Sequence, residues 1–130
     1  MLQIRNLSFS YGAVRVLKDI DMSMEPSRIT CVMGRNGVGK TTLMKNIIGL
    51  LRSSAGSVIL GETDLTGLPA NRRAGAGLAI VPQGRQIFPK LTVQENLLVG
   101  LRARNDRCRT IPEEVYDLFP ILKTMGERMG

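Results

Sequence analysis

GRNGVGKTT, residues 34–42, follows the apolar run ITCVM (29–33) and precedes LMKNIIGLL (43–51). Gly34, Gly39, Lys40 and Thr41 meet the spacing Gly-x-x-x-x-Gly-Lys-Thr. The residue types explain one another. Gly34, Gly37 and Gly39 let the backbone curl with its N–H groups pointing inward, towards phosphate oxygens at the positive end of the following helix. Lys40 reaches the β- and γ-phosphates as a point charge, and Thr41 offers a hydroxyl to Mg²⁺. Thr42 is expected to start the helix and to contact the α-phosphate. A glycine-rich turn with a stray lysine has no reason to meet every fixed position between a strand-like run and a helix-like one.

Working outward, LQIRNLSFSY (2–11) alternates apolar residues with a phase shift near Asn6, which predicts one bulged strand. VLKDIDMSM (16–24) sets Ile20, Met22 and Met24 against Asp19, Asp21 and Ser23, a half-buried strand. Gly12-Ala13 and Glu25–Arg28 read as turns. ITCVM is continuously apolar or small, as a central strand buried on both faces should be. Leu43, Met44, Ile47, Ile48 and Leu51 recur at helical spacing, with Gly49 near the helix end. SVIL (57–60) predicts a short strand before a turn at Gly61-Glu62, and LPANRRAG (68–75) a loop with a short helix. GLAIVPQ (77–83) predicts another buried strand, stopped by Pro82. Thr92 with Glu95, and Thr110 with Glu113, both fit capping boxes, and apolar residues at helical spacing follow each. Pro120 must end or kink the second of these helices.

Composition narrows the class. With 130 residues, 43% apolar content and 14 glycines, the chain is one domain's worth or a large piece of one, neither disordered nor fibrous. It has neither an apolar run long enough to span a bilayer nor a secretion signal. Cys31 in an apolar run and Cys108 in a polar one suggest a buried and a surface thiol rather than a disulfide scaffold. The net charge of +7 is scattered. Its densest cluster, RARNDRCR (102–109), contains Asp106 and no aromatic residue, which argues for a solvated surface and against nucleic-acid binding.

A phosphate loop alone does not choose among kinases, GTPases, helicases and transporters. The flanking stretches do: the chain resembles the N-terminal part of the ATP-binding subunit of an ABC transporter. LQIRNLSFSYG and VLKDIDMSM match that family's opening antiparallel strands, and GRNGVGKTTLMKNIIGL matches its extended Walker A. VPQ ending at Gln83 matches the Q-loop, and LTVQENL (91–97) the segment that opens the helical subdomain. The resemblance implies an α/β P-loop NTPase fold of ABC ATPase type, incomplete, with residues 1–89 in the nucleotide-binding core and 90–130 starting the helical subdomain. It implies ATP and Mg²⁺ as cofactors. Tyr11 would stack on adenine, with Val16 packed beside it. Gly34, Arg35, Asn36, Gly37, Val38, Gly39, Lys40, Thr41 and Thr42 would hold the phosphates, Asn36 lying across the dimer's nucleotide site. Thr41 and Gln83 would serve the metal, Gln83 also contacting water and linking the nucleotide to the membrane partner.

Partners implied are transmembrane permease subunits, docked through RQIFPKLT (85–92), and a second ATP-binding subunit. The implied location is peripheral, on the cytoplasmic face of the cell membrane, with association through partners only. PQGRQIFPKLTVQENLLVG is similar to importers of branched-chain amino acids and their urea-importing relatives, and Gln83 before Gly84-Arg85, with Cys31 ahead of VMGRNGVGKTT, tilts towards urea. A soluble P-loop ATPase or kinase is the competing class; Tyr11, Gln83 and LTVQENL together discriminate against it. The chain departs from the family at Ser27-Arg28, where a glycine-glutamate pair is usual. The family's signature stretch, its Asp-Glu strand and its switch histidine have no counterpart here, the histidine count being 0. Catalytic residues are therefore expected to be absent, and the chain alone is expected to bind ATP weakly and not to turn it over.

Overall fold

The computed structural model describes residues 1–84, 86–104 and 108–130, in two compact units, Met1–Ile80 and Val81–Gly130. The first is built on strands β1 (Leu2–Tyr11), β2 (Val14–Met24), β3 (Ala55–Leu60) and β4 (Thr63–Asp64), with helices α1 (Lys40–Ile47) and α2 (Ala70–Gly75). The strands form one antiparallel sheet in the order β2-β1-β3-β4.

The phase shift in β1 is a bulge. Asn6 takes a left-handed φ of 48° and donates its N–H to Asp21 Oδ1 at 2.9 Å. Across the same ladder the Asp19 N–H donates to Ser8 Oγ at 2.9 Å, and the Ser8 hydroxyl donates to Asp19 Oδ1. The extra residue turns Ile4, Leu7 and Phe9 to one face, where simple alternation would have turned Ile4 and Leu7 to opposite faces. On that face they meet Leu17, Val58, Leu65, Leu43 and Ile47 in one core. Gly56 sits opposite the bulge at φ 88°, where a Cβ would lie 2.5 Å from the Arg5 carbonyl oxygen, so only glycine lets β3 close on β1.

Helix α1 begins at Lys40, two residues before the expected Thr42, and ends at Gly49, whose φ of 82° turns the chain out. Its last carbonyls are taken by Arg73. That side chain is only 3% exposed and donates from Nη1 to Asn46 O (2.9 Å) and Ile47 O (2.8 Å). It also donates from Nε to Leu68 O and from Nη2 to Thr66 O. A cation here also complements the negative end of the helix. A Cβ on Gly49 would lie 2.8 Å from Arg73 Nε, so the same glycine that ends α1 makes room for its cap.

Two expected strands are not formed. Residues 29–33 and 78–82 carry no strand pairing, and Ile29 and Val81 are 98% and 96% exposed. A strand buried on both faces needs a ladder partner on each side and a layer above and below. Among the described residues no strand pairs with either run. Cys31 is accordingly exposed, not buried as expected.

The second unit holds α3 (Val93–Leu101), α4 (Glu113–Leu118) and α5 (Ile121–Thr124). Thr92 caps α3 in a full capping box with Glu95, as expected. The first two helical N–H groups, of Val93 and Gln94, donate to the carbonyls of Arg128 and Gly126. The second expected capping box does not form: Pro112, not Thr110, precedes the first residue of α4. The residue before a proline is driven out of helical backbone, so Ile111 cannot be helical and Thr110 cannot cap. Pro120 separates α4 from α5, and Lys123 ties them back together by an ion pair to Glu113 at 2.8 Å.

Candidate functional site: a phosphate loop on the first helix

The site is built by two segments that approach closely only because one residue lacks a side chain. Gly37 and Gly39 hold φ values of 82° and 101°, which bend the loop towards the start of α1. A Cβ on Gly39 would lie 3.0 Å from Val16 Cγ1 and 3.1 Å from Leu17 Cδ2, so β2 runs directly against the loop. Val16, expected beside the base, is thus at the loop's edge. The N–H of Leu43 donates to Gly39 O at 2.8 Å and closes the first helical turn.

Lys40 arches back over the loop. Its Nζ donates to Gly34 O at 2.6 Å and to Arg35 O at 2.7 Å, placing the ammonium over the loop's entrance. Helix α1 has no side-chain cap and no acidic residue in its first turn, so its positive end is not neutralised from within the helix. A glycine loop with left-handed backbone at Gly37 and Gly39, an uncapped helix start and an overarching ammonium fit a polyphosphate. Arg35, Asn36 and Val38 are exposed along the outer rim, Thr41 is exposed in the first turn, and Thr42 is half-buried with its carbonyl bonded to Asn46 Nδ2 at 2.9 Å. Among the described residues no group of three acidic, histidine or cysteine side chains could hold a metal by itself. Thr41, the residue expected to serve Mg²⁺, is exposed at the second position of α1.

Tyr11 ends β1 and pairs with Val14, at the same end of the hairpin as Val16. Its ring is half exposed and meets Phe9 edge-on, with centroids 4.8 Å apart and planes at 87°. Phe9 therefore fixes the ring expected to stack on a base, a role not singled out from the sequence. Gln83 belongs to the second unit, where it is exposed beside Gly84 (φ 87°). Arg85, the first residue of the expected docking segment, and residues 105–107 of the basic cluster lie outside the described residues.

Two further residues shape these surfaces. Arg73, described above, fixes the C-terminal end of the loop-bearing helix. Its burial pushes the guanidinium pKa down, and the Asp64 carboxylate opposes that shift. Asp64 in turn is held below its ordinary value by hydrogen bonds from the Thr66 side chain and N–H, helped by Arg73. Asn96, inside α3, accepts the Phe88 N–H at 2.9 Å, and the two hydrogens of its Nδ2 are shared among the carbonyls of Phe88 (3.0 Å), Leu91 (3.2 Å) and Thr92 (2.9 Å). The one sequence signal for Asn96 is an asparagine within a helical pattern, a poor helix former that usually has other bonds to make.

A family model described as ABC transporter matches residues 17–128. The chain is 33% identical, over 98% of its length, to the high-affinity branched-chain amino acid transport ATP-binding protein BraG of Pseudomonas aeruginosa. It is 34% identical over 98% of its length to a probable branched-chain amino acid transport ATP-binding protein of Archaeoglobus fulgidus, and covers 55% of each of these relatives. It is also 34% identical, over 99% of its length, to the lipopolysaccharide export system ATP-binding protein of Escherichia coli, covering 56% of it. Among solved structures, a nucleotide-free ATP-binding cassette from an ABC transporter superposes with a TM-score of 0.76 at 27% identity, matched over 99% of this chain and 57% of that one. The chain thus spans about half the length of the relatives it matches. With the phosphate loop, the bulged antiparallel sheet and these matches in agreement, the chain belongs to the ABC transporter family, as part of an ATP-binding domain.

Proposed function

We propose that the chain supplies the phosphate-loop and Q-loop portion of an ATP-binding subunit that powers an importer of branched-chain amino acids. The observation that carries the nucleotide reading is the Lys40 ammonium held on the glycine loop at the uncapped start of α1. The names of the Pseudomonas and Archaeoglobus relatives support the substrate branch. Urea remains a second reading, favoured by Gln83 before Gly84-Arg85 and by Cys31 ahead of the phosphate loop.

In this reading Lys40 leaves the carbonyls of Gly34 and Arg35 to bind phosphate oxygens, and the loop N–H groups bond those oxygens. Tyr11, held by Phe9, stacks on the base, and Val16 packs beside it. Thr41 and Gln83 serve Mg²⁺, which when bound neutralises charge shared between the terminal phosphates. A second ATP-binding subunit completes the site, Asn36 lying across it. Permease subunits dock on residues 85–92 and hold the protein to the cytoplasmic face of the membrane.

Titration with a fluorescent ATP analogue and Mg²⁺ tests the nucleotide site. Lys40→Ala should weaken binding at least about tenfold, the loss of one charge-assisted contact. Equal affinity in Lys40→Ala and the unmodified chain would overturn the assignment. The 130-residue chain should show no steady ATP turnover under the same conditions.

A further inference from the structure

We propose that Asn96 is a positioning residue for permease docking, holding the loop before α3 in the one shape that presents Ile87 and Phe88 outward. The proposal rests on the docking reading above. The Asn96 carboxamide accepts from the N–H of Phe88 and donates to the carbonyl of the same residue, as a neighbouring strand would. It then bridges to the carbonyls of Leu91 and Thr92, so one side chain spans the loop. The clamp is closed from behind by Gly130, whose N–H donates to Leu91 O at 2.9 Å. A Cβ on Gly130 would lie 3.0 Å from Asn96 Nδ2 and from Phe88 O, so the closure is tight.

The result is a main chain held at Phe88 while its ring stays 54% exposed, with Ile87 beside it at 52%. Large apolar side chains on a fixed backbone make effective anchors, because little conformational freedom is left to lose on binding. Asparagine inside α3 costs helix propensity, and what it supplies in return is the shape of this loop. The surface fits a partner segment offering an apolar pocket for Phe88, as a cytoplasmic segment of a membrane subunit would.

The test places a photoreactive p-benzoylphenylalanine at position 88 of the full chain, expressed in the organism that carries it. Illumination should yield a crosslink to an integral membrane protein identified by mass spectrometry. Asn96→Ala should lower that yield at least fivefold while leaving Mg-ATP-analogue binding unchanged, which a merely destabilised protein would not do. Asn96→Asp, of the same size but with a carboxylate facing three carbonyls, should lower it likewise and decides the question if the alanine variant misfolds. Amide exchange at Phe88 should quicken at least tenfold in Asn96→Ala, while the Glu95 amide, held by Thr92, keeps its protection. A membrane-protein crosslink that persists at full yield in both variants would overturn the role of Asn96 and leave docking standing. No such crosslink from the chain with Asn96 intact would overturn the docking reading and this proposal with it.

Discussion

At the scale of single residues, the loop-bearing helix α1 is held at its far end by one buried arginine, Arg73. Lys40 and the loop glycines stand at fixed spacings whose chemistry explains each type, so pattern alone identifies them. Nothing in NRRAG says which of its two arginines is buried; that depends on Gly49 opening space at the end of α1, a contact between segments 24 residues apart. Arg73→Met should remove partners from four main-chain carbonyls, two of them at the helix end. Water rescues some of these, so the expected loss is about 3 kcal/mol in urea unfolding. Arg73→Lys should recover little, since a single ammonium cannot reproduce the planar fork. Asp64 gives a pH signature. Its carboxyl is held below the ordinary 3.8, so its contribution is present above that value and is lost as pH falls through the lowered one. An NMR titration should show the depressed midpoint, and Thr66→Val, which deletes the hydroxyl bond, should move it back up.

At the scale of elements, local chemistry predicted structure best where the partner lay nearby in the chain and no stronger backbone constraint intervened. The bulge at Asn6 was visible as a phase shift, and the Thr92–Glu95 box formed because both members sit within one turn. The same signal failed at Thr110 because Pro112 restricts Ile111, a stronger constraint than one side-chain bond. Thr92→Ala should cost about 1 kcal/mol and fray the start of α3, seen as loss of protection at the Glu95 amide. The turn after β2 supplies a second case. Ser27 takes a φ of 57°, in the left-handed region, where the family pattern has glycine. Ser27→Gly should therefore raise stability by about 0.5 kcal/mol, the relief of side-chain strain outweighing the added freedom of the unfolded chain. An unchanged or lower urea midpoint would show that the serine is tolerated without strain.

At the scale of the whole molecule, the two continuous apolar runs are where the sequence reading failed most. A run such as ITCVM states that a strand would be buried on both faces, but it does not contain the strands that would bury it. Burial is a property of pairs of segments, and periodicity within one segment cannot report whether its partners are beside it. This makes a substitution test informative. Ile29→Lys and Val81→Lys, at sites 98% and 96% exposed, should shift the unfolding free energy by no more than about 0.5 kcal/mol. They should also reduce binding of the dye ANS and slow self-association, because each breaks an exposed apolar run. Leu65→Lys, at a site with 0% exposure in the core beneath the sheet, should by contrast abolish folding of the first unit. A loss of several kcal/mol from Ile29→Lys would mean that residues 29–33 are covered in solution, and a concentration-dependent midpoint would then identify a second copy of the chain as the cover.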